Sequence, residues 1–186
     1  AFEKLGGKVT YETFPEGTSD FSAYITSATN AGAEVFFSPT STTAASLILS
    51  QAASAGAKFP IMAGDTWENS AILDAAKGTN LTVALSTFFD EHDDGASAAD
   101  FVKGFKEWLN SDKQRLTNNG GNDIVAAVSA LGFDAYNVAI EAIKAANSKD
   151  SDTVAKALPD VSYEGVTGII KFNETGDAEK DMAYIK

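Results

Sequence analysis

The first half of the chain repeats one unit, a short β-rich run followed by a helical run, and this constrains the fold more than any other feature. At residues 8–14 the run Lys-Val-Thr-Tyr-Glu-Thr-Phe alternates, and Pro15-Glu16-Gly17 then turns the chain into a helical stretch over 20–31 that stops at Gly32. The second unit is a strand at 33–38 and an alanine-rich helix at 41–55 closed by Gly56. The third runs from Phe59-Pro60-Ile61-Met62-Ala63 through Gly64-Asp65-Thr66-Trp67 into a helix over 69–76, and residues 81–89 form a fourth strand. Strands and helices alternating at this length imply right-handed crossovers, hence an α/β fold with a parallel sheet covered on both faces.

Beyond Phe89 the pattern changes. An acidic, glycine-containing loop over 90–95 leads into an amphipathic helix with Phe101, Val102, Phe105, Trp108 and Leu109 at helical spacing. After an Asn/Gly loop at 118–122 come a long helix over 124–146, apolar on nearly every side and so expected to be buried, and a short helix over 153–158. β pattern returns only at 166–172 and 182–185. These helices have hardly any sheet to cover, so their central strands are expected to come from elsewhere. The first five residues, followed by Gly6-Gly7, read as the end of a helix, which agrees with an upstream part preceding them.

Charge and composition narrow the function classes. Among 186 residues, 14 Lys+Arg stand against 26 Asp+Glu, a net charge of −12. Such a surface repels phosphate backbones and anionic lipid, which disfavours nucleic acid and leaves small neutral, zwitterionic or cationic ligands. With no cysteine there is no disulfide, thiolate metal cluster or cysteine nucleophile, and every histidine-dependent site rests on His92. The cluster Asp90, Glu91, His92, Asp93 and Asp94 lacks calcium-loop spacing and reads better as a solvated crossover than as a metal site. His92 as a general base has no Gly-x-Ser-x-Gly elbow to serve, and neither glycine-rich phosphate-loop pattern occurs.

Two loops are more informative, because each follows a strand's carboxyl end, where open α/β sheets bind ligands. The first is Ser38-Pro39-Thr40-Ser41-Thr42-Thr43, a run of hydroxyls of which helix capping explains one. The second is Ala63-Gly64-Asp65-Thr66-Trp67-Glu68-Asn69-Ser70, which sets an acid directly after a strand and beside an indole. Either Asp65 caps the following helix or it meets a ligand.

In order and spacing, these features resemble the branched-chain amino acid (leucine-isoleucine-valine) binding proteins of ABC importers, which have the type I periplasmic binding protein fold. The resemblance rests on Gly17-Thr18-Ser19-Asp20-Phe21, Gln51-Ala52 with Gly56, Ile61-Met62-Ala63-Gly64-Asp65-Thr66-Trp67, Leu131-Gly132-Phe133-Asp134-Ala135-Tyr136, Gly165-Val166-Thr167-Gly168 and Phe172-Asn173-Glu174-Thr175-Gly176-Asp177. It implies two doubly wound lobes with parallel central sheets, present here as the carboxy-terminal half. Residues 1–88 would be most of lobe two, 89–178 the carboxy-terminal part of lobe one and 179–186 a return crossover, the amino-terminal part of lobe one being absent. Residues 88–95 would be the hinge.

The resemblance also implies a role. The chain would be a non-enzymatic, extracytoplasmic solute-binding receptor, without a cofactor or metal, that closes around an amino acid or similar small polar solute and hands it to a membrane permease. It would sit in the periplasm or on the outer face of the cytoplasmic membrane. Asp65 falls where an acid meets the ligand's α-ammonium, Ser41 or Thr42 where a residue, often Tyr, closes on the ligand, and Phe133 where an aromatic touches the ligand side chain. Ser or Thr in place of Tyr implies a larger or more polar pocket than the branched-chain pattern. The competing readings are a ligand-sensing module of a receptor and an α/β hydrolase using Asp65 and His92.

Overall fold

The computed structural model describes residues 2–92, 95–180 and 183–186, with only the backbone at 96 and 97. The chain divides into two compact units, Ala1–Leu85 and Ser86–Lys186.

In the first unit three strands, β1 (Phe36–Phe37), β2 (Ile61–Ala63) and β3 (Val83–Thr87), run parallel in that order, as the repeated pattern predicts. They alternate with α1 (Ser22–Asn30), α2 (Thr42–Ser54) and α3 (Ser70–Ala76). Successive strand residues point to opposite faces, so Ile61 and Ala63 turn one way and Met62 the other. On the first face Ile61 and Ala63 join Phe21, Ile25, Ile48, Leu49, Trp67 and Ile72 in one buried core. On the second face Phe37 lies in register with Met62, and the two are 64% and 36% exposed. The expectation of cover on both faces therefore holds on one face only, because all three helices of this unit pack on that side.

Local chemistry explains where the helices begin and end. Ser41 caps α2 by accepting from Ala44 N, Asn69 caps α3 by accepting from Ala71 N, and Gly56 ends α2 at φ +67°, a conformation a side chain would strain. Gln51 in α2 secures the entry to α1 from both sides: its Oε1 accepts from Phe21 N at 2.6 Å and its Nε2 donates to Ser19 O at 2.8 Å. Residues 8–14, expected as a strand, are exposed and pair with no other strand. The alternation is present but no sheet edge meets it. The segment is held instead by Phe14 edge-on to Phe21, centroids 5.0 Å apart, and by Ser27 Oγ donating to Glu12 at 2.5 Å.

In the second unit the end of β3, Ser86 and Thr87, pairs antiparallel with β7 (Tyr184–Ile185). Met182, expected within that last strand, lies outside the described residues. The helices are α4 (Ala96–Asn110), α5 (Lys113–Asn118), α6 (Ala127–Ala146) and α7 (Ser151–Ala157). Beside them stands an antiparallel sheet of β4 (Tyr163–Gly165), β5 (Gly168–Phe172) and β6 (Ala178–Lys180). Of these, α5, β4 and β6 are elements the pattern does not announce. Helix α6, expected to be buried all round, buries one stripe, Ala127, Ala130, Asp134, Val138 and Ala142, and leaves Val128, Phe133 and Tyr136 exposed.

Asp134 fixes α6 to the sheet. It is fully buried, and its carboxylate accepts from Val166 N (2.9 Å), Thr167 N (2.8 Å) and Thr167 Oγ1 (2.6 Å). Lys180 Nζ donates to the Thr167 hydroxyl and to Thr167 O. The approach is so close that a Cβ on Gly165 would stand 2.5 Å from the carboxyl, which explains a glycine there. Burial, and then the charges of Asp134 and Glu141, hold the Tyr163 phenol above its ordinary value.

Two outcomes are expected in urea melts of the complete natural polypeptide carrying this sequence. Asp134→Ala leaves three donors without an acceptor and destabilises by about 2–5 kcal/mol, with Gly165→Ala acting in the same direction. Because the folded-state pKa of Tyr163 is raised, its contribution is intact below about pH 10 and falls as pH rises above that, a dependence that Tyr163→Phe removes.

Candidate functional site

Strands β1 and β2 are parallel, so the loops that follow them leave the same edge of the sheet. The loop after β2 tightens at once into a short 3-10 turn, Asp65–Trp67, with Gly64 before it. The turn drives the indole of Trp67 into the core, where it is 1% exposed, and leaves Asp65 half-buried and Thr66 exposed.

Three side-chain hydrogen bonds bind this turn to the loop after β1. The Thr40 carbonyl accepts from Trp67 Nε1 at 3.1 Å and from Thr66 Oγ1 at 3.2 Å, and in return Thr42 Oγ1 donates to Thr66 O at 3.3 Å. Below them Ser38 N donates to Met62 O at 2.8 Å, and the Ser38 and Thr40 hydroxyls lie 3.2 Å apart. The hydroxyls of the first loop thus have work within the chain: Ser41 caps, Thr42 ties the loops together, and Ser38 and Thr40 bond each other. The sequence suggested a surplus of hydroxyls awaiting a ligand, and this network takes most of that surplus up.

Asp65 is different. Among the described residues no hydrogen bond or ion pair uses its carboxylate, and the cap of α3 that it was a candidate for is supplied by Asn69, at 2.8 Å from Ala71 N. A half-buried carboxylate without an internal partner, at the carboxyl end of a parallel strand, is a group available to a ligand. Thr42 stands beside it: with its proton directed at Thr66 O, the hydroxyl has only lone pairs left to offer to a further partner. Ser41 is exposed at the same loop.

The structure therefore brings Asp65, Thr42 and Ser41 to one edge of the first unit. Phe133 belongs to the second unit, on α6, 45% exposed, its ring 5.0 Å from Phe101, which stacks on Phe105. The clasp made by Trp67, Thr66 and the Thr40 carbonyl is what the sequence reading missed. Its one signal was a tryptophan in an apolar setting, whose N–H must find an acceptor.

The acidic cluster has other tasks. Glu91 pairs with Lys106 at 2.8 Å and accepts from Val125 N at 3.3 Å, while Asp90 accepts from His92 N at 3.0 Å and lies 3.6 Å from Lys186 Nζ. The His92 side chain is 84% exposed and sits 4.0 Å from Glu91. Asp93 and Asp94 lie outside the described residues.

The capping arithmetic gives a test. Asn69→Ala is expected to cost about 0.5–2 kcal/mol of stability, whereas Asp65→Asn, which removes no internal bond, is expected to stay within about 0.5 kcal/mol of the parent; paired thermal melts rank them.

Comparison with known proteins places this edge in context. A family model described as periplasmic binding protein matches residues 1–186. The Leu/Ile/Val-binding protein homolog 1 of Brucella abortus is 28% identical over 176 residues, 94% of this chain and 44% of that protein. The crystal structure of a leucine binding protein, LivK, from Thermotoga maritima matches with a TM-score of 0.79 and 27% identity, covering 99% of this chain and 49% of that one. LivJ of Streptococcus pneumoniae, solved in complex with isoleucine, matches with a TM-score of 0.69 and 22% identity over 92% of this chain and 46% of its own. The chain thus spans about half the length of the proteins it matches.

Proposed function

Because this chain belongs to the periplasmic binding protein family, we propose that the protein carrying it is an extracytoplasmic solute-binding receptor of an ABC importer. Its solute is an amino acid or a similar small molecule bearing an ammonium group, and its membrane partner is the importer's permease. The chain performs no chemistry on the solute; binding and release are its task.

The observation that supports this reading is the Asp65 carboxylate, half-buried at the end of β2 and used by no other described residue. An ammonium group entering beside it gains charge-assisted hydrogen bonds, and the acceptor face of the Thr42 hydroxyl adds to the same preference. An anion would be repelled by both. Ser41 borders the same loop, and Phe133 is assigned the aromatic contact to the solute's side chain. Residues 1–88 are assigned to one lobe, 89–178 to the other, 179–186 to a return crossover towards the first, and residues 88–95 to the hinge. Closure of such a receptor removes water from the solute and makes the Asp65 contact worth more than it is in the open state.

The test is made on the complete natural polypeptide. Thermal shift against the twenty amino acids is expected to give at least one clear rise in melting temperature, and calorimetry with that amino acid is expected to show Asp65→Asn weakening it by roughly 30-fold to several thousand-fold. Unchanged affinity in Asp65→Asn would remove the carboxylate from the site and the amino acid from the proposal.

A further inference from the structure

The side chain that governs Asp65 is one that need not touch the solute. Trp67 is buried to 1% exposure, and its N–H is directed at a single acceptor, the Thr40 carbonyl, at 3.1 Å. The neighbouring Thr66 hydroxyl donates to the same carbonyl at 3.2 Å, and Thr66 O receives the Thr42 hydroxyl at 3.3 Å. Asp65 stands between Gly64, at φ −91° and ψ −176°, and these two anchored residues, in a turn of three residues. The backbone of the turn closes on itself, Gly64 O accepting from Trp67 N at 3.1 Å and Asp65 O from Glu68 N at 2.9 Å, and the side chains of Thr66 and Trp67 fix that turn to the loop after β1. Among the described residues no bond holds the carboxylate itself in place, so its direction is inherited from the turn and from the side chains that fix the turn.

We propose that Trp67, acting with Thr66 through the Thr40 carbonyl, is a positioning residue that aims the Asp65 carboxylate at the solute's ammonium group. The inference rests on the function proposed above and names what makes that site selective. Phenylalanine at 67 would fill most of the same core volume without aiming the turn, since it has no N–H to offer Thr40. An exposed hydroxyl at 66 does the same work from the surface, which gives a second handle that does not disturb the core.

The experiment is a double-mutant cycle on the complete natural polypeptide. The probe is L-leucine, or the amino acid giving the largest melting shift in the panel if that is another, and Kd is followed by chemical-shift titration into the high millimolar range. Trp67→Phe is expected to weaken the probe by about tenfold, the scale of one hydrogen bond to a charged site. In an Asp65→Asn background the same change is expected to cost less than about twofold, because the group it aims is gone. Thr66→Val is expected to repeat this pattern, and Thr66→Ser, which keeps the hydroxyl, to restore parental affinity. Equal losses in both backgrounds would mark Trp67 as a core residue only, and no loss in either would dismiss the clasp; both outcomes overturn the proposal while leaving Asp65 in the site. Asp65→Asn with parental affinity would instead overturn the functional reading on which it stands. If Trp67→Phe fails to fold, the Thr66 pair decides alone.

Discussion

A buried indole N–H must have an acceptor, and in this chain the acceptor is the Thr40 carbonyl. That bond determines more than its own energy. The parallel strands of the first unit run two, three and five residues, which is too little ladder to define how their exits turn. With Trp67 seated in the core and its N–H on Thr40, the exits of β1 and β2 are held together whatever the ladder does. The turn carrying Asp65 is tied to the loop after β1 through that arrangement.

What could be read from the sequence follows the range of the interactions involved. Caps and stops are local, so the start of α2 at Ser41, the start of α3 at Asn69 and the end of α2 at Gly56 were legible within a residue or so. The parallel direction of β1 to β3 was legible because a strand–helix–strand crossover of this length leaves little choice. The unpaired segment at 8–14 shows the limit: alternation states that a strand can form, and only a sheet edge that the segment actually reaches makes it one. Edge strands were missed for the opposite reason. Strand β6 is Ala-Glu-Lys, and β4 is Tyr-Glu-Gly, residues that read as loop until β5 supplies the ladder between them.

Long-range polar bonds were the least legible. The bonds from Asp134 to Val166 and Thr167 cross 32 and 33 residues, and nothing in the apolar run around Asp134 names the partner. The same holds for Thr66 and Thr40, 26 residues apart. A run of hydroxyls looked like a ligand surface for this reason: Thr42 finds its acceptor only in the second loop, and Ser38 and Thr40 find each other only once the chain is folded. Asp65 was legible as a candidate because its place after a strand is a topological fact, and its remaining unpaired is a matter of structure.

The two carboxylates show how the same group is turned to opposite ends. Asp134 is sealed from water and receives three donors, one of which is itself held by Lys180, so both carboxylate oxygens have partners inside the fold. Asp65 is half-exposed and, among the described residues, has no donor. Filling its valences from within would cancel its value to a solute, and burying it completely without donors would cost several kcal/mol in the empty state. In the function proposed for it, partial burial on a turn tied to the neighbouring loop is the compromise: the carboxylate keeps enough hydration to stand alone, and its backbone would already be oriented for a solute. On that proposal, affinity would depend little on ordering the loop at the moment of binding. The cost of that order was met in folding, by an indole in the core and two hydroxyls at its edge.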